Sequence, residues 1–170
     1  TGIWIMMEMI RNNVAGVYVV HNDEEIGCVG AQHLVDTYDE AILDADIVDL
    51  NNSSEETETA FLTKTFDERR ELCPSAFWIG EVDIAISFDR FGTNSIITHQ
   101  SSTRTCSDDF ASDLSDLLSE DMINGGYSQF LADTKGSYTD SNKYKRHISE
   151  CTNFSVGYLH RHREEETQDL

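Results

Sequence analysis

Residues 2–10, GIWIMMEMI, are apolar on alternate positions and also between them: Ile3, Ile5, Met7 and Met9 interleave with Trp4, Met6 and Ile10. At period two this predicts a strand covered on both faces. RNN at 11–13 signals a turn, and VAGVYVV at 14–20 predicts a second strand. HNDEE is another turn, and IGCVG at 26–30 reads as a third strand. From Ala31 the period becomes helical. Leu34, Val35, Tyr38, Ala41, Ile42, Ala45 and Val48 share a face, with Asp36, Asp39, Glu40 and Asp44 mostly outside it. NNSS at 51–54 breaks that helix, and Ser53 or Ser54 can cap the next, with Glu55 and Glu56 in its first turn. The second helix reaches about Leu72 on a stripe of Phe61, Leu62, Phe66 and Arg69, and Pro74 closes it.

Further on, AFWIGEVDIAISFD at 76–89 predicts two strands about a turn near Glu81–Asp83, and RFGTNSIITHQ continues as turn and strand. A third helix covers CSDDFASDLSDLLSEDM, with Phe110, Ala111, Leu114, Leu117, Leu118 and Met122 inward and Ser107 or Asp108 as cap. INGG at 123–126 interrupts. Residues 127–151 are weakly helical, with Tyr144, His147, Ile148 and Cys151 on one side, and NFSVGYLHRH alternates as a final strand. Blocks of strands separated by helix pairs are not a βαβ repeat. They predict an α+β fold: a four-layer αββα sandwich, two antiparallel sheets each covered by a helix pair. One domain would span residues 1–163, with an acidic tail over 164–170. The glycines at 27 and 30 then let a core strand pass closely into a helix, and no phosphate is needed there.

Composition narrows the function. The 170 residues carry 32 acids against 12 Lys and Arg, a net charge of −20. No basic patch exceeds KYKRH at 143–147, which disfavours direct binding of nucleic acid. A solvated acidic surface, a nucleic-acid mimic or inhibitor, and an acidic partner in a charged complex all fit the charge. No run approaches the roughly 18 apolar residues of a membrane span. The four cysteines, Cys28, Cys73, Cys106 and Cys151, form no CxxC pair. Reduced, buried thiols in an intracellular, cytoplasmic protein are expected.

Several blocks, in their order and spacing, resemble the 20S proteasome subunit of the N-terminal-nucleophile hydrolases. IGCVGAQHLVD resembles the entry to that family's first helix, with Gly27, Cys28, Gly30 and Asp36. FWIGEVD and AISFDRFGT are similar to its next strands, with Gly80, Asp83, Phe88, Asp89 and Gly92, and FASDLSDLLSEDM is similar to the helix that follows. The resemblance implies a subunit, catalytic or not, of a self-compartmentalising threonine protease. Its partners would be other subunits of a ring and, if active, unfolded polypeptide. It makes Thr1 the nucleophile and the α-amine its base, with backbone N–H groups as oxyanion hole. Asp133 and Ser137, in DTKGS, approximate the family's Asp-x-x-Ser-Gly. The tuning cation departs from the pattern, since no Lys precedes Lys64, and Ser101 and Ser102 replace an expected GSG. The resemblance implies no cofactor.

Three other constellations compete. His147, Cys151, His160 and His162 are N and S donors of the kind zinc takes, without a tight knuckle. VYVVHNDEEIGCVGAQHL looks like the central hairpin of a GNAT acyltransferase, but the place of its pyrophosphate loop holds acidic NNSSEETE. Cys28 and His33 are near in sequence, with no evident orienting acid or amide for a Cys–His hydrolase.

Overall fold

The computed structural model describes residues 2–50, 61–120, 129–160 and 163–168. Among these the chain is mixed α+β, with five α-helices and several small sheets. They group into two compact units, one of residues 21–82 and one of the residues up to Val20 together with those from Asp83 onward. No helix among the described residues is long and apolar enough to cross a membrane.

The smaller unit is built on α2 (Val29–Leu50). Its inward stripe starts at Cys28 and continues through Ala31, Val35 and Tyr38, the three- and four-residue spacing expected of one helix face. Tyr38 stacks edge-to-face on Phe61, with ring centroids 5.4 Å apart. Cys73, Ala76 and Ile79 complete the core. IGCVG is a turn and helix start instead of a strand. Gly27 and Cys28 both donate backbone N–H to Glu24 O, and Gly30 N–H reaches Asn22 O at 3.1 Å. A Cβ on Gly30 would lie 2.9 Å from the backbone of Asn22. The glycine is needed for a close approach, as expected, but the approach is to the preceding turn. Of the second predicted helix, α3 (Phe66–Leu72) is described. Thr65 caps it: its hydroxyl accepts from Glu68 N, and Glu68 accepts from Thr65 N at 2.7 Å. The expected caps Ser53 and Ser54, with Glu55 and Glu56, lie outside the described residues. Residues 77–81, expected as strand, form a 3₁₀ turn (Phe77–Glu81) joined to α3 by the Arg69–Glu81 ion pair.

In the larger unit the first predicted strand is a helix, α1 (Gly2–Arg11). Its half-buried apolar positions and glycine, Gly2, Ile5, Met6 and Met9, form an i, i+3, i+4, i+7 stripe, with Glu8 half-buried beside it. Apolar residues on every side hid this period behind the period of two, and the run is rich in Met, which favours a helix over a strand. Asn13 ends the helix in the left-handed region, φ 57. Residues 14–20 pair with no strand among the described residues, because β-propensity forms no ladder without a partner. The main sheet has the order β1-β6-β2-β5, from β1 (Ile84–Arg90), β2 (Ser95–Ile97), β5 (Leu131–Asp133) and β6 (Glu150–Ser155). β1 runs parallel to β6, β2 antiparallel to β6, and β5 parallel to β2. Two ribbons flank it: β3 (His99–Gln100) with β4 (Thr103–Arg104), and β7 (Tyr158–Leu159) with β8 (Thr167–Gln168). The expected acidic tail thus returns in part as a strand. α4 (Asp108–Glu120) forms where a helix was expected and packs Ala111, with Phe110, Leu114 and Leu118, against Ile96, Cys106 and Phe130. Leu117, expected inward, is exposed, and Met122 lies outside the described residues. The weakly helical stretch resolves into β5 and the short α5 (Asp140–Tyr144).

Gly136 bridges to Gln100, and a Cβ there would sit 2.2 Å from Ile97 Cγ2 and 2.4 Å from His99 O. Gly136→Ala should therefore cost about 1–3 kcal/mol of stability. Urea unfolding followed by circular dichroism checks it, and an unchanged midpoint would contradict the packing described.

Candidate functional site

The parallel pair β1–β6 ends in an irregularity. Ser87 faces Asn153 and Arg90 faces Ser155, so two residues of β1, Phe88 and Asp89, stand against one of β6, Phe154. Such a bulge takes a residue out of the ladder and re-aims its side chain. The backbone of Asp89 is then held by side chains. Its N–H donates to the Asn153 Oδ1 at 3.1 Å, and its carbonyl accepts from the Tyr158 hydroxyl at 2.9 Å. Asn153 is fully buried and Tyr158 half-buried. Phe88 packs edge-to-face on Phe154, closing the apolar side of the bulge.

The next residue, Arg90, is buried and pairs with Asp133 at 3.2 Å, its guanidinium 4.4 Å from the Phe91 ring centre. Two residues before Asp89, the Ser87 hydroxyl accepts from Ser141 N at 3.1 Å and from the Thr139 hydroxyl at 3.4 Å. Asp140 lies between those two residues, in the first turn of α5. Its carboxylate acts on the Tyr144 hydroxyl, whose pKa is raised first by burial, then by Asp140 and Cys151. Asp89 thus stands near the carboxyl end of β1, and Asp140 is tied, through its neighbours Thr139 and Ser141, to Ser87 two residues earlier on the same strand. His160 follows Tyr158 by two residues, exposed and at φ 60.

The residues expected from the sequence are placed differently. Thr1 and His162 lie outside the described residues, as does the acidic stretch NNSSEETE. Asp133 has structural partners: one oxygen on Arg90, the other on Lys135 N at 2.8 Å. Ser137, half-buried, follows the Gly136 bridge, and the Asp133 oxygens are engaged elsewhere. Cys151 is a core thiol that donates to Ile148 O at 3.4 Å. Burial, and then Cys106 and Glu150, push its pKa up to about 12, the reverse of what a zinc thiolate needs. Burial also lowers the pKa of His147, with a smaller contribution from Arg146. Among the described residues no group of three or more His, Cys, Asp or Glu is arranged to hold a metal ion. Cys28 is buried while His33 is exposed on α2.

Sequence reasoning placed Asp89 only inside a block and passed over Asp140 altogether. An acid ending an otherwise apolar strand was the one local signal. The partners that give it meaning, Asn153 and Tyr158, lie more than sixty positions away. The chain matches no known family model, no curated protein and no solved structure.

The buried thiols make a pH-dependent prediction. Burial, ahead of smaller electrostatic and hydrogen-bond effects, pushes Cys106 up to about 11 from the ordinary 9.0, and Cys151 further. Both stay protonated in the folded chain where the unfolded chain ionises. The stability they lend is therefore whole below pH 9.0 and is lost as pH climbs from there toward about 11. A urea midpoint that falls over this window, with a shallower fall in Cys151→Ala, is the expected result. A flat midpoint would contradict it.

Proposed function

We propose that this chain is a hydrolase whose working groups are the carboxylates of Asp89, near the carboxyl end of β1, and of Asp140, tied to the same strand through its neighbours. The observation that carries the reading is the fixing of Asp89 through both of its backbone groups, by Asn153 and Tyr158, inside a bulge. Crevices outside the carboxyl ends of parallel strands are the general location of ligands in open sheets. A group to be used for proton transfer must be held at a set distance from the reacting atoms. In this reading Asp89 takes a proton from water as it attacks an acyl carbon and passes that same proton to the leaving group, while the Asp140 carboxylate accepts a hydrogen bond from the attacking water and orients it. The substrate class follows the resemblance of the sequence blocks and is the peptide bond.

Thr1 is the rival nucleophile, and a four-layer sandwich and a ring assembly go with that version. It needs a strand immediately after the first residue, whereas Gly2–Arg11 is helical, so the carboxylate route stands first. A second reading, an acidic interaction protein without catalysis, draws on a different feature. Ile3, Trp4, Met7 and Ile10 of α1 are exposed on a chain of net charge −20.

Turnover of a panel of fluorogenic peptides separates the three. Asp89→Asn is expected to lose about 10²–10⁴-fold in kcat/KM and Asp140→Asn a comparable or smaller factor, with Thr1→Ala close to wild type. Wild-type rates in Asp89→Asn would remove the carboxylate route, and loss in Thr1→Ala alone would transfer the reaction to Thr1. A wild-type protein that turns over no peptide would leave the interaction reading.

A further inference from the structure

The segment that carries Asp140 is held from beneath by a buried amide. Gln100 is fully buried on β3. Its Oε1 accepts from Thr139 N at 3.1 Å and from the Thr139 hydroxyl at 3.0 Å, and its Nε2 donates to the Ser141 hydroxyl at 3.0 Å. Both neighbours of Asp140 are thereby tied to one side chain. Ser87 ties them again from β1, through Ser141 N and the Thr139 hydroxyl. Thr139 occupies the N-cap position of α5, where a hydroxyl ordinarily accepts from the helix's own N–H groups. Here it makes no such bond and reaches Gln100 and Ser87 instead. The local capping preference is overridden in favour of fixing residues 139–141 to β1 and β3. A buried amide that makes three bonds to one short segment restricts that segment more than apolar packing would.

We infer that Gln100 is a positioning residue for Asp140, with Ser87 as its second support. The role rests on the reading of Asp140 as a working carboxyl. It goes beyond that reading in naming what sets the group's place. Neither Gln100 nor Ser87 touches substrate in this account. They act through Thr139 and Ser141.

The test uses the full chain with Gln100→Leu, Gln100→Glu and Ser87→Ala, all assayed well below their unfolding temperatures. Glutamate at a fully buried site stays neutral and offers the same acceptor and donor as the amide, so it should restore what leucine removes. In Gln100→Leu the Thr139 amide should exchange roughly tenfold faster or more, and the Asp140 carboxyl carbon resonance should move. Its kcat should fall roughly tenfold or more while KM stays within about threefold. Ser87→Ala should show the same pattern in smaller measure, and it serves where Gln100→Leu does not fold. Unchanged exchange at Thr139 and an unmoved Asp140 resonance in these variants would overturn the inference. So would a lowered melting temperature with kcat intact in an active protein. If the wild type hydrolyses no peptide, the hydrolase reading fails, and the exchange and resonance measurements still decide the positioning role.

Discussion

The larger unit depends on β6 having two neighbours at once. On one side it pairs in parallel with β1, and on the other it meets β2 in the opposite sense. What joins these strands is largely polar. Thr152, Asn153 and Ser155 of β6 are all buried, and each is satisfied by a group from outside β6. Thr152 donates to Ile97 O at 2.8 Å, Asn153 accepts from Asp89 N, and Ser155 meets both Ser95 and Phe91 O. Buried polar groups in such numbers are tolerable only when every one has its partner. Each therefore specifies the register of a particular neighbour in a way that leucine or valine could not.

That reliance on polar contacts explains why part of the fold was legible and part was not. α2 and α4 announce themselves by a clean apolar stripe set among acids, and both form where the period places them. β1 and β2 were visible as apolar runs bounded by turn residues. The N-terminal run failed as a strand because Met6 and Met9 satisfy either period, and the choice was made by what β1 offers to pack against. The stretch before β6 reads as weak helix because the residues that organise it, Gln100 and Ser87, lie elsewhere in the chain. Asp133 was expected, with Ser137, to match a family's Asp-x-x-Ser-Gly, and its partner Arg90 stands 43 positions away. Long-range hydrogen bonds leave no local period for a sequence reading to find.

The same limit applies to the candidate site. Thr1 drew notice because a first-position threonine has a known chemistry, whereas Asp89 and Asp140 are ordinary acids in an acidic chain. What distinguishes them is the amount of buried structure committed to their backbone: an amide and a phenol around one, an amide and a hydroxyl around the neighbours of the other. Committing polar groups in this way costs desolvation, which the hydrogen bonds they make offset.

The parallel pairing of β1 with β6 has a kinetic side. Asp89 and its anchor Asn153 are 64 positions apart, so β1 has no sheet partner until the ribosome has passed the end of β6. α1, which rests on β1, must wait for the same event. Residues 21–82, by contrast, form a compact unit whose strands of contact are short in sequence, and they are complete much earlier. Synthesis would then complete residues 21–82 while the other unit is still unfinished, with Phe88 and its apolar neighbours waiting for a chaperone or for the rest of the chain.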